Sequence, residues 1–462
     1  MHQSLPTALL DSLEGVKGFD RKAFEAVHSN EEQIVSVRLN PRKTFNIQCP
    51  PAGQAGSMLN IQSQVPWCPH GKYLSERPSF TLDPLLHGGA YYVQEASGMF
   101  LWHVLEQTVG KNTSGLKVLD LCGAPGGKST LLASYFTDGL ILSNEVIKSR
   151  AAILVENITK WGSDNVIVIN NDPKNFASLP EYFDVIVVDA PCSGSGLFRK
   201  DPSAINEWSE ENVLLCSQRQ QRILADVYPA LKKDGMIIYS TCSYSEKEDE
   251  EVVDWIMEQF SVGSLRFSVG GNWGIVEVET KKHKAYSYRF FPDKIKGEGF
   301  FIAAFRKNEG ENFHPHLTQL QSASKQEINI ADEWIKKDVD LFYFKQHENI
   351  IAIPSQWKQD ISLLQKNLYL RKAGITVGAL KGRDLIPNHE LALSLLLNEK
   401  ISRSNLNYNK AIQYLKKKEL FIENMVKGWS VVDYCGVQLG WIKVLHNRIN
   451  NYYPTNRRIL KD

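Results

Sequence analysis

The sequence predicts an α/β fold with a mainly parallel sheet. Between residues 116 and 307, short apolar runs alternate with stretches of helical spacing. Repeated strand–helix units of this kind give parallel strands whose faces are covered by helices. Several runs end in small or reactive residues, and ligands bind an open α/β sheet beyond the carboxyl ends of its strands. The predicted strands are 117–122, 140–144, 166–170, 184–189 and 236–241.

The chain is long enough for roughly two to four domains, and its pattern changes at three places. A mixed region precedes the alternating strands and helices, and a polar segment that begins near Glu309 follows them. We expect the last part of the chain to form a further module. The predicted divisions are a mixed α/β N-terminal region (1–112), the strand–helix domain (113–308), a linker (309–327) and a C-terminal region (328–462).

Local periodicity predicts further elements within these divisions. Apolar residues from Leu9 to Val27 have helical spacing, whereas residues 34–39 alternate as a strand does. The acidic run at 246–251 follows the last predicted parallel strand and predicts a helix. Other predicted elements are an apolar helix at 99–105, helices at 149–161 and 213–231, and paired strands at 286–292 and 299–306.

The composition is that of an ordinary globular protein, with 43% hydrophobic and 23% charged residues. No apolar run approaches the roughly 18 residues of a membrane span, and the first residues do not resemble an export signal. Seven cysteines in this length do not suggest a disulfide framework. No CxxC occurs, and Cys68 and His70 without further ligands predict a structural role. We therefore expect a cytoplasmic protein with no membrane and no metal partner.

Positive charge is concentrated near the C-terminus, although the whole chain has a formal net charge of only +1. Residues 401–462 contain eleven Lys and Arg against four Asp and Glu, a net charge of +7, with Tyr and Trp interleaved. Cations that contact phosphates and aromatics that stack on bases are what nucleic-acid binding uses. The composition alone is equally compatible with a solvated basic face over an aromatic core.

The first loop after a predicted strand, residues 120–130, is rich in glycine. It contains Gly-Gly-Lys-Ser, but a phosphate-binding P-loop needs a glycine five residues before its last glycine. Cys122 occupies that position, and the GxGxxG pattern of dinucleotide folds is missing too. A glycine turn between a strand and a helix N-terminus still lets backbone N–H groups approach a ligand closely.

Acidic residues follow the next two predicted strands. Glu145 comes about 20 residues after the glycine turn, where a carboxylate can hold ribose hydroxyls. Asp172 follows the third strand and could accept a hydrogen bond from an adenine amino group. An acid after each strand outlines a nucleoside pocket, and S-adenosylmethionine fits such a pocket.

Two cysteines follow apolar strands and lie among Ser, Gly and Pro, where a side chain faces the crevice. These are Cys192 and Cys242, and Asp189 lies three residues before Cys192. Each cysteine alone would be interpreted as a buried small hydrophobe. The reactive form is the thiolate, and one use of a thiolate is attack on C6 of a pyrimidine, which makes C5 nucleophilic enough to accept a methyl group. A second residue that assists proton removal and thiol expulsion explains why two cysteines share one pocket.

These motifs resemble those of the RNA cytosine-C5 methyltransferases related to the eukaryotic Nop2/Sun proteins. Residues 120–129 match the family's cofactor loop, with Gly123 where alanine is usual and Ser129 where threonine is usual. Residues 189–202 match its fourth motif. Residues 240–251 match its sixth motif, with Asp249 where asparagine is usual.

The resemblance extends beyond the three core motifs. Residues 37–41 and 91–97 resemble the family's N-terminal element, and segments 66–69, 440–443 and 451–454 resemble the bacterial small-subunit ribosomal RNA enzymes. It therefore implies a Rossmann-like S-adenosylmethionine methyltransferase core, a mixed α/β N-terminal domain for RNA recognition, and a C-terminal PUA-like α+β module that binds RNA.

Carried over by position, the resemblance makes Cys242 the nucleophile and Cys192 the residue that promotes product release. Asp189 would contact the cytosine beside the methyl donor. The dipeptide Pro191-Cys192 by itself resembles DNA cytosine methyltransferases, in which that cysteine attacks, but Thr241-Cys242 favours the RNA order.

The resemblance also implies a set of cofactor residues. Lys128 and the backbone of residues 122–127 would bind the methionine end, Glu145 the ribose and Asp172 the adenine, with Arg150 as a further pocket residue. The full set is Cys122, Gly123, Ala124, Pro125, Gly126, Gly127, Lys128, Glu145, Arg150, Asp172 and Asp189.

The expected activity is methylation of cytosine C5 in RNA, with bacterial 16S ribosomal RNA or the small ribosomal subunit as the partner and a monomer as the default state. The target base must leave its stack to reach both cysteines. Two alternatives stay open: the same chemistry on transfer RNA, and an RNA-binding ribosome-assembly factor whose methylation is incidental.

Overall fold

A computed structural model describes residues 4–30, 33–45, 59–310, 320–422 and 425–461. Residues 311–319 of the predicted linker lie outside the described residues.

The N-terminal region forms a four-stranded sheet flanked by short helices. Its strands have the order β2-β3-β1-β4 and pair antiparallel throughout. The helical spacing near the N-terminus and the strand predicted at 34–39 are confirmed. The elements are α1 (Thr7–Ser12), α2 (Arg21–Ser29), β1 (Val35–Leu39), β2 (Ile61–Gln64), β3 (Gly71–Leu74), α3 (Pro84–His87) and β4 (Tyr91–Val93).

The strand–helix region supplies nine strands, β5 to β13, of a ten-stranded sheet. Its elements are α4 (Leu101–Thr108), β5 (Lys117–Asp120), α5 (Gly127–Tyr135), β6 (Leu140–Asn144), α6 (Lys148–Trp161), β7 (Val166–Ile169), β8 (Phe183–Asp189), α7 (Ala204–Glu207), α8 (Glu210–Val227), β9 (Leu231–Thr241), α9 (Glu250–Gln259), β10 (Val262–Ser264), β11 (Val276–Glu279), β12 (Tyr286–Phe290) and β13 (Phe300–Lys307).

The centre of this sheet is parallel, as the sequence predicts. Strands β9, β8, β5, β6 and β7 are parallel neighbours, and β13, β12 and β11 continue the sheet antiparallel beyond β9. Successive side chains of a strand point to opposite faces, so Val118 and Leu119 of β5 enter different apolar layers. Both faces are therefore buried under other elements, which is why these strands are almost continuously apolar.

The C-terminal region supplies two further four-stranded sheets, ordered β14-β15-β17-β18 and β19-β20-β21-β22. Its elements are α10 (Lys325–Asp332), β14 (Leu341–Gln346), β15 (Asn349–Pro354), α11 (Lys358–Asn367), β16 (Leu370–Ala373), β17 (Ile375–Lys381), β18 (Asp384–Pro387), α12 (His389–Leu393), β19 (Arg403–Asn405), α13 (Tyr408–Leu415), β20 (Gly428–Tyr434), β21 (Val437–Val444) and β22 (Ile449–Asn451).

One strand of the C-terminal region belongs to the central sheet. Strand β16 pairs antiparallel with β7 and forms the end of the sheet path. Without it β7 would be an exposed edge with unpaired N–H and C=O groups, which are prone to association. Ile361, Leu364 and Leu368, from α11 and the residue after it, pack into the same apolar layer as Leu119. The C-terminal region thus completes the central sheet and its core.

Two predicted helices differ from the structure. The acidic segment does not begin a helix at residue 246: α9 begins at Glu250. The carboxylates of Glu248 and Asp249 instead turn inward and accept side-chain hydrogen bonds. The helix predicted to reach residue 231 ends at Val227, and β9 begins at Leu231. Pro229 lies between them, and proline cannot donate the backbone hydrogen bond that a helix interior needs.

Candidate active site

The predicted site residues converge at one edge of the central sheet. Strands β5 to β9 are parallel neighbours, so the loops after their carboxyl ends lie side by side. The glycine-rich loop follows β5, Glu145 follows β6 and Asp172 lies just beyond β7. The residues Asp189 and Cys192, at the end of β8, and Cys242, after β9, complete the edge.

The glycine-rich loop is compact, and two of its glycines lie where a side chain would be strained or crowded. Gly126 has φ +121°, a conformation that side-chain-bearing residues rarely adopt. A Cβ at Gly123 would lie 2.8 Å from Ser129 Oγ and 3.2 Å from Asp120 Oδ2. Ser129 Oγ donates to Asp120 Oδ2 at 2.6 Å. The glycine that departs from the family pattern thus lies tightly against the start of α5.

Asp120 offers an unused acceptor beneath this loop. Its side chain is fully buried, and burial raises the pKa of its carboxyl to about 7. Oδ2 accepts from Ser129, whereas Oδ1 has no hydrogen-bond partner among the described atoms. Buried polar atoms without partners are rare in proteins and call for an explanation. A ligand amine above the loop would satisfy this oxygen.

Glu145 and Arg150 form one side of the predicted pocket. Glu145 is buried, its Oε1 accepts from the backbone N–H of Ile147 at 2.9 Å, and its Oε2 lies 3.3 Å from Arg150. Arg150 also donates to the carbonyl of Ala124 at 2.8 Å. The arginine therefore connects the loop after β6 to the glycine-rich loop after β5.

Asp172 is half-buried at the start of a short 3₁₀ helix, where its Oδ1 accepts from the backbone N–H of Lys174 at 3.1 Å. The preceding residue, Asn171, is bound to the C-terminal region. Its Oδ1 accepts from the backbone N–H of Tyr369 at 3.1 Å, and its Nδ2 donates to the Tyr369 carbonyl at 3.3 Å. The end of the pocket predicted to hold adenine is therefore braced by the residue before β16.

Lys128 and Asp189 join the cofactor loop to the cysteine loops. The Lys128 ammonium lies 2.8 Å from Asp189 Oδ2, and Ser240 Oγ donates to Asp189 Oδ1 at 2.8 Å. Burial alone would lower the pKa of Lys128, but the Asp189 carboxylate raises it above its ordinary value. The ammonium also lies 5.1 Å above the Phe300 ring. The sequence predicted Lys128 for the methionine end of the cofactor, and in the structure its ammonium pairs with Asp189, three residues before Cys192.

The two cysteines of the motifs are in direct contact. Cys192 Sγ and Cys242 Sγ lie 2.9 Å apart, and both residues are half-buried. The hydrogen bond with Cys242 raises the pKa of Cys192 well above its ordinary value, and burial and the Glu248 charge act in the same direction. Either sulfur could donate the hydrogen bond in this contact. Among the cysteines that the structure describes, Cys68, Cys122, Cys192, Cys216 and Cys242 are free and Cys435 is disulfide-bonded.

Three contributors to the site carried no role in the sequence predictions. Arg38 of β1 is fully buried and donates to the Gly127 carbonyl at 3.2 Å and to Thr130 Oγ1 at 2.6 Å. Glu248 is buried beside the cysteine loops, and Ser240 binds Asp189. All three residues lie in segments that resemble the family, residues 37–41 and 240–251, and this resemblance is the sequence feature that could have identified them.

The basic C-terminal segment contributes aromatic side chains both to the protein core and to the protein surface. Tyr414, Trp441 and Tyr453 are buried, as an ordinary aromatic core requires. Tyr452 is 41% exposed, and its ring centroid lies 4.5 Å from that of Trp429. A shallow cleft beside it is lined by residues that include Lys417, Lys418, Asn450, Tyr452 and Thr455. This part of the segment offers an aromatic face beside cations at the protein surface.

Neither a metal cluster nor a membrane span was found in the part of the chain that the structure describes. Within it, His, Cys, Asp and Glu side chains nowhere gather in a group of three or more suited to a metal ion. No described helix is both long enough and apolar enough to cross a bilayer.

Sequence comparison with protein families matches three parts of the chain. Residues 108–306 match the family described as 16S rRNA methyltransferase RsmB/F. Residues 5–96 match the N-terminal domain of 16S rRNA methyltransferase RsmF, and residues 403–459 match the methyltransferase RsmF PUA domain. The three matches lie in the N-terminal, central and C-terminal parts of the chain in the same order as the predicted modules.

Individual relatives agree with these matches. Ribosomal RNA small subunit methyltransferase F of Aliivibrio salmonicida is 29% identical over 413 residues, covering 86% of this chain and 85% of that protein. The protein of the same name from Pectobacterium atrosepticum is 32% identical over 314 residues, covering 66% of this chain and 63% of that protein.

Two solved structures share the central fold. A methyltransferase homolog protein from Pyrococcus horikoshii is 26% identical, with a TM-score of 0.51 over 66% of this chain and all of that chain. NSun6 from the same organism, solved with SFG, is 18% identical, with a TM-score of 0.53 over 67% of this chain and all of that chain.

Proposed function

Because the chain belongs to the RsmB/F family of RNA methyltransferases, we propose that it methylates C5 of a cytosine in 16S ribosomal RNA, with S-adenosylmethionine as the methyl donor. The names of its relatives support the ribosomal substrate. The observation that carries the cytosine chemistry is the contact of Cys192 and Cys242, with sulfur atoms 2.9 Å apart beside the Lys128–Asp189 pair.

The residues present fit S-adenosylmethionine. Oδ1 of Asp120 is a buried acceptor without a partner among the described atoms, suited to the ammonium of the methionine end. Glu145 and Asp172 follow the next two strands, in the order that ribose and adenine require. When bound, S-adenosylmethionine supplies an electrophilic methyl carbon on a sulfonium.

Cys242 acts as the nucleophile in this proposal. Its thiolate would bond to C6 of the cytosine, and the electron pair of the C5=C6 double bond would move to C5, the carbon to which S-adenosylmethionine would supply the methyl group. A base then removes the C5 proton, the C5=C6 double bond re-forms, and the C6–S bond breaks with its electron pair on Cys242. Asp189, whose carboxylate is held by Lys128 and Ser240, orients the cytosine during these steps.

Cys192 assists the release step. The hydrogen bond with Cys242, burial and the Glu248 charge raise the pKa of Cys192 well above its ordinary value, so it remains a thiol at neutral pH. Its S–H is placed to donate to Cys242 Sγ as negative charge develops on that sulfur. Donors aimed at developing charge are a major source of catalysis, so loss of Cys192 should slow release more than attack.

The covalent intermediate provides the test. Cys192→Ala and Cys242→Ala are each incubated with 16S RNA and S-adenosylmethionine and separated on a denaturing gel. We expect an RNA-linked protein band from Cys192→Ala and none from Cys242→Ala. The reverse pattern would exchange the two roles. If wild type transfers no methyl group and neither variant gives an adduct, the proposed function is wrong.

Acceptor RNA discriminates the remaining alternatives. Transfer of labelled methyl groups to ribosomal RNA, to transfer RNA and to assembled small subunits is measured in parallel. Preference for transfer RNA would keep the chemistry and replace the substrate. If a knockout of the gene is rescued equally by the Cys242→Ala variant, an assembly role is favoured over methylation. A monomeric state and a cytoplasmic location stay predictions of this proposal.

A further inference from the structure

Glu248 lies between the loops that carry the two cysteines and is fully buried. Its Oε1 accepts from the backbone N–H of Ser193 at 2.8 Å. Its Oε2 accepts from Ser193 Oγ at 2.5 Å and from Ser243 Oγ at 2.6 Å. Ser193 follows Cys192 and Ser243 follows Cys242, so one carboxylate binds the residue after each thiol.

The position of Glu248 is itself fixed by neighbours. Gln220 of α8 donates to Glu248 Oε1 at 3.2 Å and to the Pro191 carbonyl at 3.1 Å. The Tyr239 hydroxyl lies 2.5 Å from the Glu248 carbonyl and 2.9 Å from Gln220 Oε1. Buried hydrogen-bond networks of this kind rigidify their surroundings. The Glu248 carboxylate is therefore held in place and can fix the positions of both cysteine loops.

The two cysteines depend on Glu248 to different degrees. Cys242 directly follows β9, and its carbonyl accepts from the backbone N–H of Gly196 at 2.8 Å. On the other loop, the last ladder contact is the bond from Ala190 N–H to the Ser240 carbonyl. Beyond it, the main chain at Pro191 and Ser193 is bonded by the side chains of Gln220 and Glu248. Loss of Glu248 should therefore displace Cys192 more than Cys242.

Resting on the proposed function, we infer that Glu248 is a positioning residue that holds Cys192 against Cys242 and thereby controls product release. It acts through Ser193 and Ser243 and leaves attack to Cys242. A misplacement of about 1 Å can cost a reacting group roughly a hundredfold in rate. Loss of Glu248 should therefore raise the ratio of accumulated RNA adduct to completed turnovers.

The test compares Glu248→Ala with Glu248→Gln in the full-length protein. We expect Glu248→Ala to accumulate RNA-linked protein as Cys192→Ala does, with turnover reduced about 100-fold and single-turnover adduct formation reduced less than about 10-fold. Glu248→Gln should stay within about fivefold of wild type, because its amide oxygen still accepts from the Ser193 N–H and its amide nitrogen can donate to the serine oxygens.

Asp254→Ala is the matched control. Asp254 is also buried, and its two oxygens accept from the backbone N–H groups of His283 and Lys282 at 3.0 and 3.2 Å, without a role at the cysteines in this proposal. Its loss should lower thermal stability while the ratio of adduct to turnover stays at the wild-type value. A ratio that changes equally in Asp254→Ala would show that any loss of a buried carboxylate has this effect, and would overturn the inference.

The remaining outcomes are also decisive. Equal losses of adduct formation and turnover in Glu248→Ala, or an unchanged ratio, would refute the positioning role even if Cys192→Ala traps the adduct. An adduct from Cys242→Ala but not from Cys192→Ala would exchange the two cysteine roles and overturn the inference. No adduct from either variant, with no methyl transfer by wild type, would instead refute the proposed function. If Glu248→Ala does not bind S-adenosylhomocysteine and does not unfold cooperatively, Ser193→Ala replaces it. That variant should shift the ratio in the same direction, and an unshifted ratio contradicts the inference.

Discussion

The ammonium of Lys128 lies 2.8 Å from the carboxylate of Asp189, so the loop after β5 and the loop after β8 meet in one ion pair. Lys128 is 14% exposed in its side chain and Asp189 36%. Ser240 holds the second carboxylate oxygen. The proposed methyl-donor pocket and the proposed cytosine site therefore share one charge pair, and a change in either charge should affect both.

We predict that Lys128→Met and Asp189→Asn each lower single-turnover methyl transfer by about 100-fold, because each leaves the other group without its partner. The double variant should lose less than the product of the two single losses, since residues in one ion pair are not independent. Single-turnover rates of wild type, the two single variants and the double variant give the coupling free energy between Lys128 and Asp189. Multiplicative losses would show that the two side chains act separately.

Arg38 should be needed for cofactor binding although it lies in the N-terminal sheet. Its guanidinium is fully buried, bonds to Gly127, Thr130 and Gln94, and lies 4.7 Å above the Trp161 ring. We predict that Arg38→Met weakens S-adenosylhomocysteine binding about 10-fold or more, because acceptor atoms of all three residues lose a charged donor. Arg38→Lys should bind as weakly as Arg38→Met, since one ammonium cannot reproduce the several planar N–H donors of the guanidinium.

Calorimetric titration checks this prediction, with Arg42→Met as the control. Arg42 lies four residues away and pairs with Asp164 at 3.7 Å, so its loss removes a cation from the same segment without touching the cofactor loop. Equal weakening by both substitutions would show a general loss of N-terminal folding instead of a contact with the loop.

His389 should make the protein less stable in acid. Burial, with smaller contributions from Arg457, Lys160 and Lys43, lowers the pKa of His389 to about 3. The unfolded state binds a proton below pH 6.5 and the folded state does not, so the stability from this group is complete above pH 6.5 and falls as pH decreases toward 3. At pH 5 its loss amounts to about 2 kcal/mol.

Denaturant unfolding at pH 7 and pH 5 measures this effect. The decrease in unfolding free energy between the two pH values should be smaller in His389→Gln by about 2 kcal/mol. His446→Gln is the control, because His446 is exposed and its substitution should leave the difference unchanged. If His389→Gln shows the same decrease as wild type, the imidazole does not remain buried and neutral.

The central domain should not fold well without the C-terminal region. A chain that ends at Lys307 leaves β7 without its partner β16 and uncovers the layer against which Ile361 and Leu364 pack. Exposed apolar edge strands associate, so we expect this chain to sediment as aggregate under conditions in which the full chain is monodisperse. Recovery of a monomeric 1–307 chain with wild-type affinity for S-adenosylhomocysteine would contradict this prediction.

The parallel sheet and most of the site could be predicted because they depend on residues close in sequence. The strand predicted at 140–144 is β6 in the structure, and the other predicted parallel strands overlap β5, β7, β8 and β9. Side chains that follow parallel strands must meet at one edge, so Glu145, Asp189 and Cys242 could be brought together from their positions in the chain alone. The sulfur atoms of Cys192 and Cys242 lie 2.9 Å apart at this edge.

What the sequence alone determined is therefore the order of strands and helices, the loops at the edge and the residue types that they carry. Only the tertiary structure decided that Arg38 reaches the cofactor loop, that β16 completes the sheet, and that Glu248 turns inward where an acidic helix was expected. Periodicity and capping act over a few residues, whereas these three contacts join residues 92, 201 to 206 and 55 positions apart. Their partners are selected by burial and unsatisfied hydrogen bonds in the assembled core, which no local pattern encodes.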